Sequence, residues 1–126
     1  MLNYLVVGLG GFIGACTRYV ISQLVSHLPS FPFCTLLSNV IAALVIGFII
    51  GWERQSTLFA EPTKLFLTVG LLGGLSTFSA FSMETVAMIE RGQYVHALSN
   101  VLLNVGLCVM LVFAGLALAK VAIKVS

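Results

Sequence analysis

Charge is what this chain has least of. Of its 126 residues only 8% are charged, four acids against six bases, for a formal net charge of +2. A soluble domain carries about 25% charged residues, so water cannot solvate the outside of this molecule. The positive balance is also too small for the basic surface that nucleic acid binding requires. Cysteine is sparse: Cys16, Cys34 and Cys108 stand alone in apolar surroundings. None forms a CxxC pair, and all three are expected to pack as small hydrophobes rather than to do metal or redox work. His27 and His96 lie near expected helix ends without a carboxylate or thiol at ligand spacing, and are taken as interfacial residues. No Ser/His/Asp set, metal cluster or phosphate loop is present, which argues against an enzyme. The glycine run from Gly8 to Gly14 is similar to a dinucleotide loop but has Ile13 where the third glycine belongs, and no strand precedes it. The N-terminus lacks a basic region and a small-residue cleavage site, so it is not read as a signal peptide.

What the chain does have is apolar length. Sixty per cent of its residues are hydrophobic and its mean hydropathy is +1.12, which makes a membrane protein the default class. A bilayer core about 30 Å thick takes about 20 apolar residues in helix, and four segments qualify. The first runs from about Asn3 to Val25 and ends at the polar turn from Ser26 to Ser30. The second runs from about Phe33 to Trp52, is closed by Glu53 to Ser56, and places Trp52 at the headgroup level. The third begins after Pro62 near Lys64 and continues to about Ile89, and Glu90, Arg91 and Gly92 close it. The fourth runs from about Val95 to Ala119. No linker, low-complexity tract or clear internal repeat divides the chain, so residues 1–126 form one domain, an all-α membrane domain of four helices. An even number of spans puts both termini on one side, with Arg54, Lys64, Lys120 and Lys124. The positive-inside bias then favours cytoplasmic termini, but weakly enough to permit insertion both ways.

The third span is interrupted. Gly73 to Ser82, GGLSTFSAFS, puts two glycines, four hydroxyls and two phenylalanines into an otherwise apolar helix. Within a bilayer, backbone that leaves the helical pattern must be buried in protein or line a polar cavity. A helix broken at mid-membrane is accordingly a candidate ion or substrate site, and the chain reads as a small channel with the break at its centre. Four helices of this length enclose little space without a partner. Gly10 and Gly14, and Gly47 and Gly51, form GxxxG pairs that let helices approach closely, within one subunit or between two.

Polar side chains inside the other spans are the remaining candidates, because such groups do not face lipid. Arg18, toward the second end of the first span, either snorkels to the interface or marks an anion-attracting vestibule. Thr35 and Asn39 share one face of the second span, near Ser38. Asn39 carries two N–H donors without charge, suited either to an interhelical bond or to replacing water around an anion. Asn100, Asn104 and Cys108 recur on one face of the fourth span, as a helix seam or a pore wall. If a second half-helix starts near Ser82, Glu84 falls in its first turn, where the helix dipole favours an acid; a proton-coupling role is the alternative. Phe78 and Phe81, three apart, would ordinarily be packing. Beside hydroxyl and amide donors, their electropositive ring edges could instead meet a small hard anion.

The run GGLSTFSAFSMET, with TLLSN ending in Asn39 and GGFIGACTRY carrying Arg18, resembles the Fluc fluoride channels, also called CrcB. The resemblance covers the whole chain in length, span number and motif order. It implies a passive, fluoride-selective channel of a microbial inner (cytoplasmic) membrane that lets cytoplasmic fluoride leak out and so limits its toxicity. It implies an antiparallel, dual-topology homodimer with two pores, each lined by both subunits. Phe78 and Phe81 would be the pore phenylalanines, Asn39 the pore amide, and Ser79 and Thr35 their neighbours along the path, with Arg18 at the vestibule. A sodium ion would sit on the dimer axis, bound by the backbone carbonyls of Gly73 and Ser76. Ser76 stands where many relatives have Thr, a change that a backbone ligand tolerates. The fourth-span track of Asn100, Asn104 and Cys108 stands where some relatives carry Tyr and Ser. A thiol bonds more weakly than a hydroxyl, so Cys108 is not counted among the pore residues. Two rivals remain: a small dual-topology, proton-coupled multidrug exporter, which needs a carboxylate in the first span where this chain has only Arg18, and a non-transporting assembly subunit.

Overall fold

A computed structural model describes residues 1–27, 31–55 and 59–125. The last residues of the turn expected after the first span, 28–30, and Ser56 of the second lie outside them. All elements among the described residues are helical, and four stretches are long and apolar enough to cross a bilayer. Helix α1 (Leu2–Val25) and α2 (Phe33–Glu53) are continuous; at 1.5 Å per residue, 24 residues give about 36 Å of helix. The third span, Glu61–Glu90, is assembled from pieces. These are α3 (Glu61–Leu65), a run of wide π-helical turns (Phe66–Leu72), the single turn α4 (Gly73–Leu75) and α5 (Phe78–Glu90). The fourth span, Tyr94–Val125, contains α6 (Tyr94–Val101), a second π-helical run (Leu102–Leu107) and α7 (Cys108–Val125).

The ends follow from local chemistry. Pro32 caps α2 from outside, and Pro62 occupies the first turn of α3 behind an extended Ala60; proline fits there because that amide has no helical acceptor. The third span therefore starts at Glu61 rather than near Lys64. Helix α5 ends on Gly92, whose φ of +73° suits a residue without a Cβ. The amides of Gly92 and Gln93 turn back to the carbonyls of Ile89 and Met88 at 2.9 and 2.8 Å, closing the helix in a Schellman turn. The fourth span overruns Ala119 to Val125, because Lys120 and Lys124 are good helix formers in an apolar run.

Packing rests on glycine. Helix α1 lies against the π-helical run and α4, and α2 lies against α7. A methyl group on Gly14 would strike the Leu71 carbonyl, and one on Gly47 the Val112 carbonyl. Both GxxxG pairs thus serve close helix contact inside one chain. Ala42, Ile49, Leu72 and Leu75 form an apolar cluster between the second and third spans. Elsewhere the usual distribution is inverted. Leu5, Phe12, Phe113 and Val121 are exposed, whereas the largest side chains with no exposed surface are Asn100 and Ser38. An apolar outside with polar side chains such as these enclosed suits lipid as the solvent.

Candidate functional site

The interruption of the third span is confined to two residues. Ser76 (ψ 151°) and Thr77 (φ −151°, ψ 118°) are extended, and helix resumes at Phe78. Thr77 caps α5, its hydroxyl accepting the Ala80 amide at 3.3 Å, a usual role for threonine before a helix. The expectation that the second half-helix begins near Ser82 is corrected accordingly. Glu84 lies in the second turn of α5, out of reach of the capping position.

Asn39 of α2 takes up the amide that the break releases. The Thr77 N–H donates to Asn39 Oδ1 at 2.8 Å, and Asn39 Nδ2 donates back to the Thr77 carbonyl at 3.4 Å. The other Nδ2 hydrogen goes to Asn104 Oδ1 at 2.9 Å. Asn104 lies in the second π-helical run and donates to both the side-chain oxygen and the carbonyl of Asn100, at 2.9 and 3.1 Å. Asn100 donates to the Thr85 hydroxyl at 3.0 Å, and Thr85 donates to the Phe81 carbonyl at 2.7 Å. Asn100 and Asn104, which the sequence left between seam and pore wall, are both buried in this seam, and Asn104 also borders a cavity. Thr85, which sequence reading passed over, joins them; its position four residues after Phe81 on α5 was the available signal.

Beside the interruption lies a cavity of about 330 Å³, lined among others by Asn39, Ser76, Phe78, Phe81 and Asn104. Phe81 is buried (8% exposed) and Phe78 is open (76%); their rings are tilted by 56° with centroids 5.4 Å apart, a geometry that presents ring edges. Cys108, left out of the pore by sequence reasoning, also lines this cavity. A second hollow of about 390 Å³ holds Arg18, Thr35, Cys34 and Thr77. Thr77 therefore borders both, and the interruption separates them. Arg18 is not a free charge: its Nε donates to the Gly74 carbonyl at 3.2 Å, where a cation meets the negative end of α4. Thr35 donates its hydroxyl hydrogen to Glu84 Oε1 at 2.5 Å. Ser79 lies within 3.2 Å of the Thr77 hydroxyl.

The break also frees carbonyl oxygens. In a continuous helix, Gly73 would accept from the Thr77 amide and Ser76 from the Ala80 amide. Those two amides are bound instead by Asn39 and by the Thr77 hydroxyl. Neutral backbone oxygens of this kind are the ligand type that hard monovalent cations take at other broken membrane helices.

An apolar exterior, polar side chains enclosed within it, four spans long enough to cross a bilayer and a broken span braced by side-chain amides define a multi-pass membrane protein of the kind that carries ions or solutes. The family model described as CrcB-like protein, Camphor Resistance (CrcB), matches residues 5–116, and the chain belongs to this family. It is 43% identical over 123 residues to a protein of Clostridium perfringens named fluoride-specific ion channel FluC, covering 96% of each chain. Proteins of the same name from Clostridium novyi and Shewanella pealeana are each 44% identical. The matches span 119 and 117 residues, covering 93% of both chains in the first case and 91% of this chain and 94% of the relative in the second.

Proposed function

We propose that this chain is a passive fluoride channel of the inner membrane, working as an antiparallel homodimer with two pores and releasing cytoplasmic fluoride. The observation that carries this reading is the cavity where Phe81, Phe78 and the amide of Asn39 converge on the interrupted helix. Fluoride is small and strongly hydrated, so a selective pore must replace water with donors yet hold the ion loosely enough to let it leave. Neutral amide and hydroxyl hydrogens with aromatic edges supply attraction without a fixed opposite charge. Arg18, bound to Gly74, lends positive potential to the neighbouring hollow. Ser79 and Thr35 are the next hydroxyls along the path; Thr35 receives an anion only when its bond to Glu84 opens. The carbonyls of Gly73 and Ser76 would hold a structural sodium ion at the dimer axis, where it would fix the break in position.

Efflux from liposomes holding only this purified protein, followed with fluoride and chloride electrodes, tests the reading. Rapid fluoride loss that needs valinomycin, without chloride loss, is the expected result. No fluoride loss from dimeric protein overturns it, and fluoride movement that requires a proton gradient in place of valinomycin moves the protein to a coupled exporter.

A further inference from the structure

The polar bonds behind the cavity run in one direction. Asn39 donates to Asn104, Asn104 to Asn100, Asn100 to Thr85, and Thr85 to the carbonyl of Phe81. Each amide uses its oxygen to accept from the previous member and its nitrogen to donate to the next. Reversing one member would set oxygen against oxygen, or leave a buried N–H without an acceptor, and a buried unpaired polar group is costly. Asn104 is placed for this by the wide turns around it. Its side-chain amide takes the carbonyl of Asn100, four residues back. Asn100 has no exposed surface and Asn104 has 7%, so the two bonds between them are buried, and those to Asn39, Thr85 and Phe81 are partly buried.

We infer that Asn104, Asn100 and Thr85 are positioning residues that fix which way the Asn39 amide faces and tie it to the backbone of Phe81. This rests on the channel reading above. With one Nδ2 hydrogen held by Asn104 at 2.9 Å, the other is directed at the Thr77 carbonyl at 3.4 Å. That longer bond is the weaker of the two, and its hydrogen is the one that a passing anion takes over. Asn39 therefore keeps two of its three hydrogen bonds while it exchanges the third, and returns to the same orientation after each ion. The relay also couples the two walls of the cavity, because it begins at the Thr77 clasp and ends on the carbonyl of Phe81.

Two readouts test the relay: fluoride efflux from liposomes, and exchange of the Thr77 backbone N–H with deuterium in the full-length protein. Asn104→Leu keeps the number and branching of side-chain heavy atoms and removes both polar partners. It is expected to slow efflux at least tenfold and to speed Thr77 exchange at least tenfold, with amides of α7 unchanged. Thr85→Val, at the far end, is expected to change both in the same direction by a smaller factor. The double variant should be no worse than Asn104→Leu alone, because a chain of bonds cut once is already cut; such non-additivity is the mark of a shared network. Multiplicative losses in the double variant, or an unchanged Thr77 exchange rate in both single variants, would overturn the proposal. If Asn104→Leu does not fold, Asn100→Ser, which keeps a donor and an acceptor, is paired with Thr85→Val in the same cycle. Absence of fluoride efflux from the unaltered protein would remove the channel reading, and the exchange measurements would still decide the relay.

Discussion

Asn39 and Thr77 are joined as two peptide groups are joined across a sheet: Thr77 donates its N–H to Asn39 Oδ1 at 2.8 Å and accepts from Nδ2 at 3.4 Å. A side chain of α2 thus supplies what the third span loses where it stops being a helix. Asn39→Leu keeps the shape and leaves the half-buried Thr77 amide without this partner, at a cost of about 1 kcal/mol. Unfolding titrations in mixed detergent should register that loss, and liposome efflux should fall at least tenfold. A variant as stable as the unaltered protein would mean that the Thr77 amide finds another acceptor.

Much of this architecture is legible from residue types. Four spans follow from apolar length, and the end of the third from Gly92. The break was legible as a region, Gly73 to Ser82, because glycine and hydroxyl residues cluster there. Its confinement to Ser76 and Thr77 was not, because that depends on which amides Asn39 and the Thr77 hydroxyl take. For the same reason Glu84 was placed one turn too early. The π-helical runs had no compositional signal: Phe66–Leu72 and Leu102–Leu107 read like any apolar helix. Arg18 was legible as an intramembrane charge, either snorkelling or at a vestibule; its bond to Gly74 is a contact between residues 56 apart that no local pattern reveals.

Glycine positions separate by what stands opposite them. Gly14→Ala puts a methyl group into the backbone of Leu71 and Leu75, whereas nothing lies within 4 Å of an added Cβ at Gly8 or Gly106. Overpacking of this kind costs about 1–3 kcal/mol. Alanine in an open helical position gains up to about 1 kcal/mol of helix propensity in aqueous helices. Gly14→Ala should therefore lower the unfolding midpoint in detergent, and Gly8→Ala should leave it unchanged or raise it. Equal effects at the two sites would mean that α1 shifts to absorb the methyl group.

Sodium is proposed on backbone oxygens, which predicts an unusual pattern of tolerance. Exchanging sodium for N-methylglucamine during purification should lower the thermal unfolding temperature of the protein, since a ligand bound only to the native state stabilises it by mass action. Ser76→Ala retains the carbonyl and loses only the hydroxyl bond to Leu72 at 2.9 Å. Its sodium dependence should match that of the unaltered protein. A sodium effect abolished by Ser76→Ala would transfer the ion from the carbonyl to the hydroxyl.

The two phenylalanines predict unequal stability effects and a common functional one. Phe81 is buried against the cavity wall and Phe78 is open. Phe81→Ile should destabilise the fold by about 1 kcal/mol through lost packing, and Phe78→Ile by much less. Neither should disturb the polar relay, which reaches Phe81 only through its carbonyl. Isoleucine keeps most of the apolar bulk and removes the ring edge, the one feature by which these side chains attract an anion. Fluoride efflux should therefore fall steeply in both variants while size-exclusion profiles stay unchanged. If stability alone set the flux, Phe81→Ile would be slow and Phe78→Ile nearly normal. Undiminished efflux in both would remove the rings from the conduction path and leave the amides to carry it.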